Sequence, residues 1–313
     1  MKDRNVFITG GAGFIGRAVV AHTLAQGAHV TVYDNLCAGS LENLEGLLDQ
    51  ITFIEADILD EPTLTAALED AQPDVVFHLA AHHFIPYCNK HPQETLNVNV
   101  TGTETVLRLA AQAGAQVAVV ASSGAVYPSV DTPLGEDLTP APPDVYGVSK
   151  LLTEHVCAYI AETTPMRCVA ARLFNTYGPY ETNPHLIPHI VDSLREGPSI
   201  ELGNIHTFRD YIYVEDVARL LVACAQSDAN FAVTNVGTGL EYTAEEIVRT
   251  FEKILEMPIE IRQDPTRIRA VDKLHQRAST AQLQALTGTQ AAIGLHEGLE
   301  KLVEHEGLRL QRA

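Results

Sequence analysis

The sequence contains no Cys-x-x-Cys pair and no His-Glu-x-x-His. Its five cysteines, Cys37, Cys88, Cys157, Cys168 and Cys224, are scattered and odd in number. That pattern argues against a disulfide framework or a zinc site and predicts a reducing compartment, the cytoplasm. Histidine is plentiful, with an adjacent pair at His82 and His83, but its spacing predicts no bound metal. Gly-x-Ser-x-Gly is missing too, which removes one signature of a serine nucleophile. Basic residues are few, 21 against 40 acidic ones, for a formal charge of −19. Phosphate backbones call for clustered Lys and Arg, so no nucleic-acid partner is expected. A small anionic ligand needs only a local positive site and remains open. No apolar run reaches ~18 residues, so no membrane span is expected. The opening "MKDRNVFITG" enters a strand at once and lacks the layout of a signal peptide.

What is present is alternation. The 313 residues suit one large or two modest domains. Apolar runs at 5–9, 29–34, 51–57, 74–80, 116–122 and 167–173 read as strands buried on both faces. Helical patterns at 14–26, 61–70, 92–113 and 144–163 lie between them, with Asp144 placed as an N-cap. Strand–helix alternation predicts an α/β fold with a parallel sheet and helices on both sides. Beyond about residue 175 the pattern loosens, and the last stretch is helix-rich and polar. A smaller, irregular C-terminal domain follows, and 231–239 reads as a strand returning to the sheet.

Glycines at 10, 11, 13 and 16 sit between the first strand and the first helix. Gly10 permits a tight turn. Gly13 lets a pyrophosphate approach N–H groups at a helix N-terminus, where the macrodipole also favours negative charge. Gly16 permits close helix packing. Asp34 ends the second strand where a carboxylate reaches ribose hydroxyls and repels a 2′-phosphate, which predicts NAD over NADP. Asp57 ends the third strand and either accepts from an adenine amino group or caps a turn.

Tyr146 and Lys150 are four residues apart and share a helix face. A free phenol is a poor base at neutral pH, and a neighbouring ammonium is expected to lower its pKa. Such a phenol can take a proton from a sugar hydroxyl as hydride leaves the carbon. Ser122 and Ser123 end the fifth strand, at the edge where open α/β sheets hold ligands. They read either as a substrate hydroxyl contact or as turn residues.

The stretches TGGAGFIG, "HLAA" (78–81), "NVNVTGT" (97–103), the Ser-Ser before "VY", YGVSK, "RLFNTYGP" (172–179) and "RDYIYVEDVA" (209–218) occur in order. As a set they resemble the extended short-chain dehydrogenase/reductase family, in its nucleotide-sugar epimerase and dehydratase branch. The resemblance covers residues 5–250 and is nearest the UDP-galactose 4-epimerase type. It implies a Rossmann-type doubly wound domain over 1–174, with the chain returning around 205–236, and a nucleotide-sugar domain over 175–313. It implies bound NAD, a nucleotide-diphosphate sugar substrate and a homodimer using the 92–113 and 144–163 helices. By position, Tyr146 is the base, Lys150 its partner and Ser123 the hydroxyl positioner. Gly10, Gly13, Phe14, Ile15, Asp34, Asn35, Asp57, Ile58, Leu79, Ala80, Ala81 and Ser122 form the cofactor wall. Asn99 joins them by supporting the active-site helix. Asn175 touches sugar or phosphate, His185 and Leu186 grip diphosphate and base, and Arg209 and Arg269 pair with the diphosphate. Arg269 with Asp272 resembles a late Arg-x-x-Asp, with Arg267 close by.

Two departures stand out. "SSGAV" replaces the Asp–Glu pair of the dehydratases, and the Glu of the decarboxylases is missing. His83, Phe84, Tyr87 and Cys88 stand where small polar residues are usual, which predicts a bulky aromatic wall and puts ordinary UDP-glucose in question. His83 reads either as a substrate contact or as a packed structural residue.

Overall fold

The computed structural model describes residues 1–264 and 273–308. Seven strands form one parallel sheet: β1 (Asn5–Thr9), β2 (His29–Asp34), β3 (Ile51–Glu55), β4 (Val75–His78), β5 (Val117–Ser123), β6 (Arg167–Leu173) and β11 (Phe231–Val236). Their order is β11-β6-β5-β4-β1-β2-β3. The order reverses beside β1, which pairs with both β2 and β4. That reversal opens a crevice at the carboxyl ends of the strands, the place where such sheets hold ligands.

The central strands are buried along most of their length because helices cover both faces. On one face α1 (Phe14–Ala25) and α8 (Val214–Ala225) pack Val19, Val20, Leu220 and Leu221 into the sheet. On the other, α2 (Glu61–Ala71), α5 (Gly102–Gln112) and α6 (Val145–Thr163) contribute Leu64, Val106, Leu107 and Ile160. Asp144 caps α6, its Oδ1 accepting from the Gly147 N–H at 2.8 Å. The helix read over 92–113 is broken. α3 (Ile85–Lys90) and α4 (Pro92–Leu96) precede one wide π-helical turn over Asn97–Thr101, and α5 follows.

Among the described residues, the irregular part expected beyond residue 175 contains three two-stranded pairs. These are β7 (Asn175–Tyr177) with β10 (Tyr211–Tyr213), β8 (Ser199–Leu202) with β13 (Glu260–Gln263), and β9 (Phe208–Arg209) with β12 (Tyr242–Thr243). They surround a separate core with α7 (Leu186–Glu196), α9 (Ala244–Leu255) and α11 (Leu295–His305), built on Ile190, Phe251 and Leu299. α10 (Ala281–Thr287) packs Leu283 back on the large sheet. Among the described residues, no helix is long and apolar enough to cross a membrane.

Candidate active site

A cavity of about 1650 Å³ lies over the carboxyl edge of the sheet. One wall is the glycine turn. Gly10 has φ +71°, and a Cβ there would lie 2.6 Å from the Ala80 nitrogen. A Cβ on Gly16 would overlap the Gly10 carbonyl. Both positions therefore require glycine for the strand, turn and helix to meet. Gly13 begins α1 without a capping side chain, and the first turn carries no acidic residue. Gly13, Phe14 and Ile15 face the cavity, so unclaimed first-turn N–H groups meet it.

Asp34 lines the same wall with its side chain anchored. Its Oδ2 accepts from the Ala12 N–H at 2.9 Å and its Oδ1 from Leu36 at 2.8 Å. Burial pushes its pKa up, against the pull of those donors. Two bonds leave lone pairs for a further donor. Both sequence readings of Asp57 leave room here: Oδ1 caps the turn through Leu59, and Oδ2 accepts from Asn35 at 2.7 Å. Ile58, Leu79, Ala80 and Ala81 complete this side.

Ser123, Tyr146 and Lys150 stand together on the opposite wall. The Tyr146 phenol hydrogen-bonds Ser123, whose Oγ also accepts from the Ala125 N–H at 3.1 Å. Lys150 is one turn along α6, its Nζ 5.9 Å from the Tyr146 ring centre and donating to the Ala121 carbonyl at 2.8 Å. Here the expected electrostatics need correction. Burial pushes the phenol up to about 12, and Ser123 pulls the other way. Burial also pushes Lys150 down to about 8. Desolvation of both groups outweighs the attraction of ammonium for phenolate.

Asn99 sits behind the wall, not on it. Its amide accepts from the His82 N–H and donates to the His82 carbonyl, both at 2.8 Å, and donates to Ser149 Oγ at 2.9 Å. It therefore braces α6 against the segment after β4, and its side chain is spent. Ser122 lines the cavity, but its hydroxyl is engaged behind the wall: its Oγ donates to Glu154 Oε1 at 2.5 Å. Glu154 is held in turn by the buried Arg172 fork at 2.8 and 2.7 Å.

The aromatic wall is narrower than expected. His83 and Phe84 line the cavity, whereas Tyr87 and Cys88 do not. Tyr87 donates to Glu94 at 2.9 Å and stacks on His91, and Cys88 is buried beneath His82. His83 hydrogen-bonds the Ala81 backbone and the Asn183 side chain, and burial pushes its pKa down. Asn175, His185, Leu186 and Arg209 also line the cavity. Asn175 donates to the Asp210 carbonyl at 3.2 Å, and Arg209 to the Phe208 and Lys273 carbonyls at 2.8 Å. Arg267, Arg269 and Asp272 lie outside the described residues. Glu181, Asn183, His189 and Lys273 are on the wall and were missed by sequence reasoning. Only Glu181 carried a usable signal, its i, i+4 spacing to His185. No cluster of three His, Cys, Asp or Glu that could hold a metal occurs among the described residues.

Residues 6–237 match the NAD dependent epimerase/dehydratase family. The chain belongs to that family. It is 31% identical, over 95% of its own length and 96% of the relative's, to the UDP-glucose 4-epimerase of Mycolicibacterium smegmatis. It is 29% identical to the GDP-6-deoxy-D-mannose reductase of Pseudomonas aeruginosa, over 96% of each. In structure it resembles a UDP-glucose 4-epimerase from Stenotrophomonas maltophila solved with bound NAD and formylated UDP-arabinopyranose. The TM-score there is 0.90 at 26% identity, covering 97% of this chain and 98% of the other. The protein is thus an enzyme of the NAD-dependent nucleotide-sugar epimerase/dehydratase family. The glycine turn, the uncapped α1 N-terminus and the anchored Asp34 carboxylate fit the dinucleotide that membership implies.

Proposed function

We propose that the protein interconverts C4 epimers of a nucleotide-diphosphate sugar, most simply a UDP-sugar, through a transient 4-keto sugar. The observation that carries this reading is the Ser123–Tyr146–Lys150 group in the same cavity as the uncapped α1 N-terminus. NAD, when bound, supplies the acceptor and donor of hydride. Gly10, Gly13, Phe14 and Ile15 would hold its pyrophosphate and Asp34 its ribose hydroxyls, with Asn35, Asp57 and Ile58 beside the adenine. Leu79, Ala80, Ala81 and Lys150 would line the nicotinamide end.

Tyr146 would act as phenolate, the form that the Lys150 ammonium and the positive nicotinamide ring of bound NAD would favour against the cost of burial, taking the proton of the 4-hydroxyl and later returning it. Ser123 fixes the oxygen that loses that proton. His83 and Asn175 border the sugar. His185, Leu186, Arg209 and the undescribed Arg269 anchor the diphosphate and base, remote from the chemistry, so the sugar can turn while the nucleotide stays put. Relatives named as UDP-glucose 4-epimerases support UDP and C4. The two-domain division at residue 174 and the homodimer belong to the same reading. Val148, Leu152 and Tyr159 on α6 are 39%, 40% and 62% exposed and offer the apolar face such a dimer would cover.

The reductase relative motivates a second reading, reduction of a 4-keto sugar. It predicts stoichiometric NADH or NADPH consumption, which epimerisation does not. Tyr146→Phe tests the base. We expect kcat to fall by about 10²–10⁴ with NAD still bound; full activity in that variant would remove Tyr146 from the mechanism.

A further inference from the structure

Lys273 is half-buried in the cavity wall, and its Nζ donates to the Tyr127 carbonyl at 2.6 Å. An ammonium carries three N–H donors, so two remain for other acceptors. No carboxylate among the described residues lies within ion-pairing distance of it. The acid whose charge reaches it is Asp144, whose Oδ1 already accepts the Gly147 N–H that caps α6. Burial outweighs that attraction and pushes the Lys273 pKa down. A cation drawn out of water with donors left over is a cost until an anion meets it.

The position of Lys273 decides which part of a ligand would supply that anion. Tyr127 ends the short turn Gly124–Val126, which begins at Ser123, and Ser123 bonds the Tyr146 phenol. Asp144 comes two residues before Tyr146. On the other side, the segment that carries Lys273 runs along β9. The Phe208 N–H donates to the Leu274 carbonyl, and Arg209 Nη1 donates to the Lys273 carbonyl, both at 2.8 Å. The charge of Arg209 also reaches the Lys273 ammonium. Lys273 therefore stands between the group that would take the C4 proton and the arginine read as a diphosphate anchor. In a nucleotide sugar the pyranose fills that interval, joined to phosphate at C1 and reacting at C4. C6 is where a hexose can carry a carboxylate without any change at C4.

We propose that Lys273 is a specificity-determining residue whose ammonium receives the carboxylate of an acidic sugar, so that the protein prefers a nucleotide-diphosphate uronic acid to the neutral hexose. This rests on the reading of the cavity as a nucleotide-sugar 4-epimerase site and adds the class of sugar. The bond to Tyr127 already holds the ammonium in place, so less side-chain freedom is lost when an anion pairs with it.

UDP-glucose and UDP-glucuronic acid differ only at C6, and UDP lacks the sugar. Calorimetry on the NAD-loaded enzyme gives Kd for all three, and NMR follows C4 epimerisation of the two sugars. The wild type should bind the uronate about tenfold more tightly than UDP-glucose and favour it by a similar factor in kcat/KM. Lys273→Gln should abolish that preference while the Kd for UDP stays in place. Lys273→Arg keeps the cation and should retain most of the preference. Retention of NAD reports that each variant is folded. Equal or weaker binding of the uronate by the wild type would overturn the proposal. So would a Lys273→Gln variant that loses as much affinity for UDP as for UDP-glucuronic acid, because Lys273 would then be a diphosphate contact. Epimerisation of UDP-glucose with rejection of the uronate would overturn the proposal and leave the proposed function standing. Binding of UDP with no binding of either sugar would instead overturn the proposed function.

Discussion

Lys150 is a buried ammonium, 5% exposed, that donates to the Ala121 carbonyl. Its pKa of about 8 in the folded chain lies below that of an unfolded lysine, ~10.4. Between these values the unfolded chain holds more protons, so this group makes stability rise with pH from about 8 to ~10.4. At pH 7 its burial is a net cost. Lys150→Met should therefore raise unfolding free energy at pH 7 by about 1–2 kcal/mol while abolishing turnover. Urea unfolding checks the first part; a clear loss of stability would mean that the bond to Ala121 outweighs burial. The residues of this site differed in how far the sequence revealed them. The glycine turn and Tyr146–Lys150 were legible because their chemistry needs fixed local spacing. The balance between them was not, because desolvation depends on what packs around a group. Glu154 and Arg172 are 18 residues apart, on a helix and a strand, and no local pattern joins them.

At the scale of elements, α6 presents the catalytic side chains and must be held over β5 and β6. The clamp is Glu154, which accepts from Ser122 and from both arms of the Arg172 fork. Both charges are buried, at 4% and 5% side-chain exposure. Removing one partner leaves the other uncompensated, so Arg172→Met should cost about 3–5 kcal/mol. Replacing both by methionine should recover most of that loss, because two apolar groups strand no charge. Parallel denaturation of single and double variants decides it, and a double variant no better than the single would contradict this account of the clamp. The first six strands were readable because burial on both faces leaves near-continuous apolar runs. The break in 92–113 was not, since one π-helical turn has no compositional mark. Its consequence is local and large: it carries Asn99, 1% exposed, to the three bonds that brace α6. The short pairs from β7 to β13 are two to four residues long, and tertiary neighbours, not periodicity, select them.

At the scale of the molecule, the sheet order turns at β1 and places the glycine turn, the ends of β2 and β4, and the Tyr146 wall around one cavity. A parallel sheet with helices on both faces was legible from alternation alone, whereas the cavity's far wall was not, because it comes from loops after residue 177. The central claim is that this cavity oxidises and re-reduces one sugar carbon without net redox change. The most direct measurement follows purified protein by NMR in D₂O with a panel of UDP-, dTDP-, GDP- and CDP-sugars and no added NAD. The account predicts that at least one sugar yields its C4 epimer, with hydrogen retained at C4 and no net change in bound dinucleotide. No epimer from any sugar, or deuterium entering C4, would contradict it.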